Sequence, residues 1–80
     1  MFYVYILQSE ADPAQFYTRL ADDLRRRLTE HNAGRSAHTA KFRPWKLVTY
    51  TAFADREKAV AFEKYLKSGS GREFARRHLR

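Results

Sequence analysis

Eighty residues hold one hydrophobic core and no second domain, and at 44% hydrophobic and 15% aromatic the chain is too apolar for wholesale disorder. The absence of cysteine excludes a thiol nucleophile, a disulfide framework and a Cys-ligated metal, and it fits a cytoplasmic protein. Sixteen Lys and Arg against nine Asp and Glu give a net charge of +7 and a pI near 10.1, a balance that favours a polyanionic partner because each phosphate contact releases condensed counterions.

The chain opens with an aromatic and β-branched run, Phe2 to Leu7, that reads as a strand with Phe2, Val4 and Ile6 on one side and Tyr3, Tyr5 and Leu7 on the other. The apolar run from Met1 to Leu7 is far shorter than the roughly 20 residues of a membrane span, and neither a basic leader nor a cleavage site frames it as a signal peptide. Ser9 to Pro13 supplies turn chemistry, and a second strand follows over about Gln15–Leu20, predicting an antiparallel hairpin with Tyr5 opposite Tyr17. Leu20, Leu24 and Leu28 then recur every four residues, so a helix is expected from Asp22 to about Asn32, with Asp22 and Asp23 at its dipole-favoured start. Gly34 is placed to cap it.

Residues 35–44 form a basic loop with Arg35, His38, Lys41 and Arg43. Lys46 to Ala52 reads as a third strand. Asp55 opens a second helix to about Lys67 with Ala59, Phe62 and Leu66 as its apolar stripe, and Ser68-Gly69 breaks it. Ser70-Gly71-Arg72-Glu73 fits a capping box for a last helix rich in arginine. The order β-β-α-β-α-α predicts an α+β domain over residues 1–80: a three-stranded, mainly antiparallel sheet flanked by helices.

Three features are odd for a plain core. Arg27 and His31 lie one turn apart on the first helix, with His31 between Leu24 and Leu28, where a core alone would want an apolar side chain. They read either as a phosphate-binding pair or as a half-buried histidine beside a surface arginine. Glu63 borders the packed face of the second helix and reads as a functional carboxylate or as half of an ion pair with Lys67. Tyr5 and Tyr17 read as site residues or as a cross-strand aromatic pair whose hydroxyls need partners.

Taken together these groups resemble the GIY-YIG nuclease superfamily, in its small single-domain bacterial branch, the UPF0213-like proteins. Tyr3-Val4-Tyr5 stands at the first motif and Tyr17-Thr18-Arg19 at the second. The stretch Asp22 to Gly34 is similar to the family's following helix, and Ala61 to Arg72 resembles the branch's C-terminal segment. The resemblance covers almost the whole chain. It implies a metal-dependent endonuclease that hydrolyses phosphodiesters, with DNA expected ahead of RNA, in branched, damaged or single-stranded form. Carried over residue by residue, Tyr5, Tyr17, Arg27, His31 and Glu63 are the implied catalytic set. Glu63 is the implied ligand of Mg²⁺ or Mn²⁺, and water and substrate phosphate complete the shell. Arg27 would hold phosphate oxygens.

Because a free phenol titrates near 10, a cation or a relay through His31 is needed for a tyrosine to act as base; Tyr5 is assigned to water and Tyr17 to positioning. Arg19, Arg35, His38, Lys41, Arg43, Lys67 and Arg72 are the expected nucleic-acid contacts. A partner protein is expected to supply substrate targeting.

Two departures from the pattern stand out. Tyr3 replaces a glycine of the first motif, a change this branch tolerates, and Arg19 occupies the last glycine of the second. Arg19 would share a strand face with Tyr17, where it either blocks the cleft or adds a phosphate contact. The alternative function is therefore a noncatalytic nucleic-acid-binding module whose site Arg19 has degraded.

Overall fold

The computed structural model describes residues 1–80. The elements are β1 (Phe2–Ser9), β2 (Phe16–Ala21), α1 (Leu24–Asn32), a 3-10 turn at Ala40–Phe42, β3 (Trp45–Phe53), α2 (Arg56–Leu66) and α3 (Gly69–His78). The strands form one sheet in the order β2-β1-β3, every pair antiparallel. The first strand is therefore central, and β2 keeps an unpaired outer edge. No helix is long and apolar enough to cross a membrane.

β1 is apolar from Phe2 to Leu7 because both of its faces are covered. Val4 and Ile6 pack against Ala59, Leu66 and Ala75 of α2 and α3, with Phe16, Leu20, Val48 and Phe62 around them. Tyr5 and Leu7 point the other way, into a cluster with Ala21 and Trp45 that Leu24 and Leu28 of α1 close. Between Ile6 and Leu7 the β1–β3 register slips by one residue of β3, leaving Val48 as a bulge without a partner on β1.

The structure corrects four expectations. Tyr5 pairs with Arg19, and Tyr17 pairs with Leu7, so the two tyrosines share a face diagonally and do not stand opposite each other. Leu20 is a β2 residue packed on the Val4 side, because the helix it was expected to join begins only at Leu24. Asp23 alone caps α1, its carboxylate accepting from Arg26 N at 3.0 Å. Finally, α3 is capped by Ser68 in place of Ser70. The Ser68 hydroxyl donates to Tyr65 O and accepts from Gly71 N, so one side chain serves the end of α2 and the start of α3. That turn requires Gly71, since a Cβ there would lie 1.7 Å from Tyr65 O. Asp55 does cap α2, accepting from Glu57 N at 2.9 Å.

Candidate active site

The end of α1 sets the site. Gly34, at φ 77°, allows a Schellman turn in which Gly34 N donates to His31 O and Arg35 N to Glu30 O, both at 3.2 Å. The Asn32 amide then mimics a strand neighbour: its Nδ2 donates to Trp45 O (3.0 Å) and its Oδ1 accepts from Trp45 N (2.6 Å). These bonds tie the last turn of α1 to the first residue of β3. His31, one position earlier, is thereby driven under the sheet beside β1.

His31 is 1% exposed, and both its nitrogens are engaged. Nε2 meets the Tyr5 hydroxyl at 3.0 Å, and Nδ1 meets the Thr39 hydroxyl at 2.8 Å. Thr39 is itself buried and held, its carbonyl accepting from the Trp45 indole N–H at 2.8 Å. The Thr39 hydroxyl has one further acceptor, Ser36 O, at 3.5 Å. Assigning protons outward from that carbonyl, Thr39 donates to Ser36, His31 donates from Nδ1 to Thr39, and Tyr5 donates to Nε2. Burial, reinforced by the charges of Arg27 and Arg19, pushes the imidazole below its ordinary range, which keeps it neutral in this chain. Burial also raises the Tyr5 phenol, against the opposing effect of the Arg27 guanidinium beside it.

The two tyrosines differ in one decisive respect. Tyr5 is wholly buried and its hydroxyl is spoken for. Tyr17 packs edge-on against His31, ring centroids 5.1 Å apart, yet its hydroxyl has no protein partner. Since no buried side-chain nitrogen or oxygen lacks a partner, the Tyr17 hydroxyl opens to solvent. Arg27 lies beside the Tyr5 hydroxyl, and it bonds Glu30 at 3.2 Å, which also draws in Arg26. Arg19 is exposed on this same face.

Glu63 stands apart from that cluster. It lies on α2, on the other side of the sheet, and its one partner is Lys67 at 3.3 Å. Along α2, Arg56, Glu63 and Lys67 fall on a single stripe. Arg56 shares a surface groove with Arg27, Leu20 and Ala21, and Lys67 shares another with Phe16, Tyr17 and Thr18. Glu63, between them, therefore faces the free edge of β2. Arg27 thus lines the groove at one end of β2, Tyr17 the groove at the other, and Glu63 lies on α2 between Arg56 and Lys67. No group of three His, Asp or Glu side chains converges anywhere in the chain. A lone carboxylate with a 17% exposed side chain suits a hard cation that keeps most of its water, so the donor set fits Mg²⁺ or Mn²⁺ held jointly with a substrate phosphate.

Of the basic loop, Arg35 lines a small polar notch with Arg27, Glu30, His31 and Ser36. His38, Lys41 and Arg43 are exposed on the loop, Lys41 over the Phe42 ring at 5.1 Å. Arg72 joins Lys67 in the groove at the lower end of β2. Sequence reasoning missed Thr39, Asn32, Arg56 and Arg80. The first two act only through partners distant in sequence, so no local pattern marks them. Arg56 could have been found as the residue one heptad before Glu63 on the same helix face.

Residues 1–77 match the GIY-YIG catalytic domain, and the chain belongs to that family. Within it the chain is similar to the small UPF0213 proteins. That of Lacticaseibacillus paracasei is 39% identical over 67 residues, covering 82% of this chain and 73% of the relative. The structure-specific endonuclease subunit SLX1 of Meyerozyma guilliermondii is 43% identical over 71 residues, 80% of this chain but 24% of that protein. The match thus spans about a quarter of that relative's length. The solution NMR structure of a UPF0213 protein from Bacillus halodurans superimposes with a TM-score of 0.54 at 35% identity, covering 91% of this chain and 80% of that one.

Proposed function

We propose that the protein is a divalent-metal-dependent endonuclease that hydrolyses phosphodiester bonds of DNA along β2. What supports this reading is an open Tyr17 hydroxyl and the Arg27 guanidinium on the α1 side of β2 and a single carboxylate, Glu63, on the α2 side. Hydrolysis needs a positioned water and neutralisation of charge on the phosphoryl oxygens. Tyr17, the phenol that solvent reaches, is the group able to touch and orient the attacking water. This exchanges the roles first assigned to the two tyrosines, because Tyr5 has no exposed surface. Tyr5, His31 and Thr39 form a neutral bonded column that holds the floor beneath Tyr17. Arg27 donates to phosphate oxygens. Glu63 would hold Mg²⁺ or Mn²⁺ after releasing Lys67, and the ion supplies positive charge to the phosphate.

Substrate structure is supported by the SLX1 relatives, whose name describes a structure-specific endonuclease subunit. Branched, damaged or single-stranded DNA is the proposed target, and the word subunit favours a partner protein that brings the substrate. The free charge of +7 favours any polyanion, so RNA is the comparison substrate.

A second reading, a binding module without turnover, draws on Arg19, whose charge bears on Tyr5 and His31. Cleavage of supercoiled, branched and single-stranded DNA with Mg²⁺ or Mn²⁺ separates the two. The nuclease reading expects metal-dependent cutting that Glu63→Ala abolishes. Salt-sensitive binding without cutting, with cleavage restored by Arg19→Gly, would establish the module instead.

A further inference from the structure

β2 and the α2–α3 junction enclose a groove of about 440 Å³. Half-buried Phe16, Tyr17 and Thr18 line it over a floor of the buried Ile6, Leu66 and Ala75, and its cations are Lys67, Arg72 and Arg80. No acidic residue lines it. Arg72 and Arg80 form no salt bridge, in contrast to Arg76 on the same helix, which is committed to Glu73. The Arg80 guanidinium lies over the Phe16 ring, 4.4 Å from its centroid.

We infer that this groove binds one unpaired nucleotide, its base on the apolar lining beside Phe16 and its phosphate on Arg72 and Arg80. The volume falls in the range of small-ligand sites. Unpaired positive charge on the rim selects an anion, and the aromatic and aliphatic lining selects one that carries a flat apolar body. A groove of this volume takes one splayed base and is too small for a duplex. Lys67 lines the groove and bonds Glu63, so the bound nucleotide lies next to the proposed scissile phosphate. This deepens the nuclease reading and rests on it for one point: the preferred DNA would carry an unpaired nucleotide beside the cut.

The test does not depend on cleavage. Deoxyadenosine 5′-monophosphate is titrated into the intact protein while backbone amide signals are followed by NMR. Saturable shifts at Phe16, Leu66 and Ala75 are expected, weakened at least about tenfold in the double variant Arg72→Ala, Arg80→Ala, whose two side chains are exposed and whose folding is checked by the rest of the amide spectrum. Inorganic phosphate at the same concentrations should leave those three signals unsaturated. The inference is overturned if phosphate alone reproduces the shifts, if the double variant binds like the native chain, or if the shifts fall elsewhere. A native protein that cuts no DNA would count against the nuclease reading and would leave this assay intact.

Discussion

The two faces of the sheet are built on opposite rules. On the α2–α3 face, Val4, Ile6, Ala59, Leu66 and Ala75 meet without a polar atom between their side chains. On the α1 face, Tyr5, His31 and Thr39 are as deeply buried, yet each must be matched atom for atom. Apolar contacts are forgiving in direction, and a buried hydroxyl or imidazole is not: left unpaired, each costs about 1–3 kcal/mol. The apolar face therefore supplies cohesion, while the polar face fixes where α1 sits and hence where Arg27 and Tyr17 stand.

The largest expected effect tests the apolar face. Leu66→Ala should lower the unfolding free energy by about 2–5 kcal/mol in chemical denaturation, because it opens a cavity among residues that cannot collapse into it.

The polar face is probed by two hydroxyl deletions that remove the same atom in different settings. Tyr5→Phe strands the His31 Nε2 acceptor and should cost about 1–3 kcal/mol in the same assay. Tyr17→Phe removes a hydroxyl without a protein partner and should change stability by no more than about 0.5 kcal/mol. Equal losses from the two would erase the distinction between them.

The smallest effect is the pH dependence. Burial and Arg27 lower the His31 pKa in the folded state, so the unfolded chain, whose histidine titrates near ~6.5, binds the proton more readily. Stability from this group is complete above about 6.5 and falls as the pH drops from there toward the depressed folded value. Denaturation at about pH 7.5 and about pH 5.5 should show the decline in the native chain and a flatter response in His31→Gln.

Much of this was legible beforehand. The alternation of β1, the polar residue His31 in an apolar stripe and the Asp55 and Gly34 caps are local signals, each carried by neighbours within a turn or a strand. The register between Tyr5 and Tyr17 was not, because hairpin pairing depends on how many residues the Ser9–Gln15 connection consumes, and Ser9 N closes that loop onto Gln15 O. Nor was Thr39: it sits in a loop of polar and small residues, and only the folding of Trp45 beneath it makes it the second ligand of His31. The accessibility that separates Tyr5 from Tyr17 is likewise a tertiary property. A tyrosine on a strand looks the same in sequence whether its hydroxyl meets an imidazole or water.

The most direct test of the account is the rate of Mg²⁺-dependent DNA cleavage by Tyr17→Phe against the native chain, with folding checked in the same samples. If Tyr17 orients the attacking water, the rate falls by about 10²-fold at unchanged stability. A Tyr17→Phe protein that cuts at the native rate would contradict the account and return the chemistry to a group this structure keeps buried.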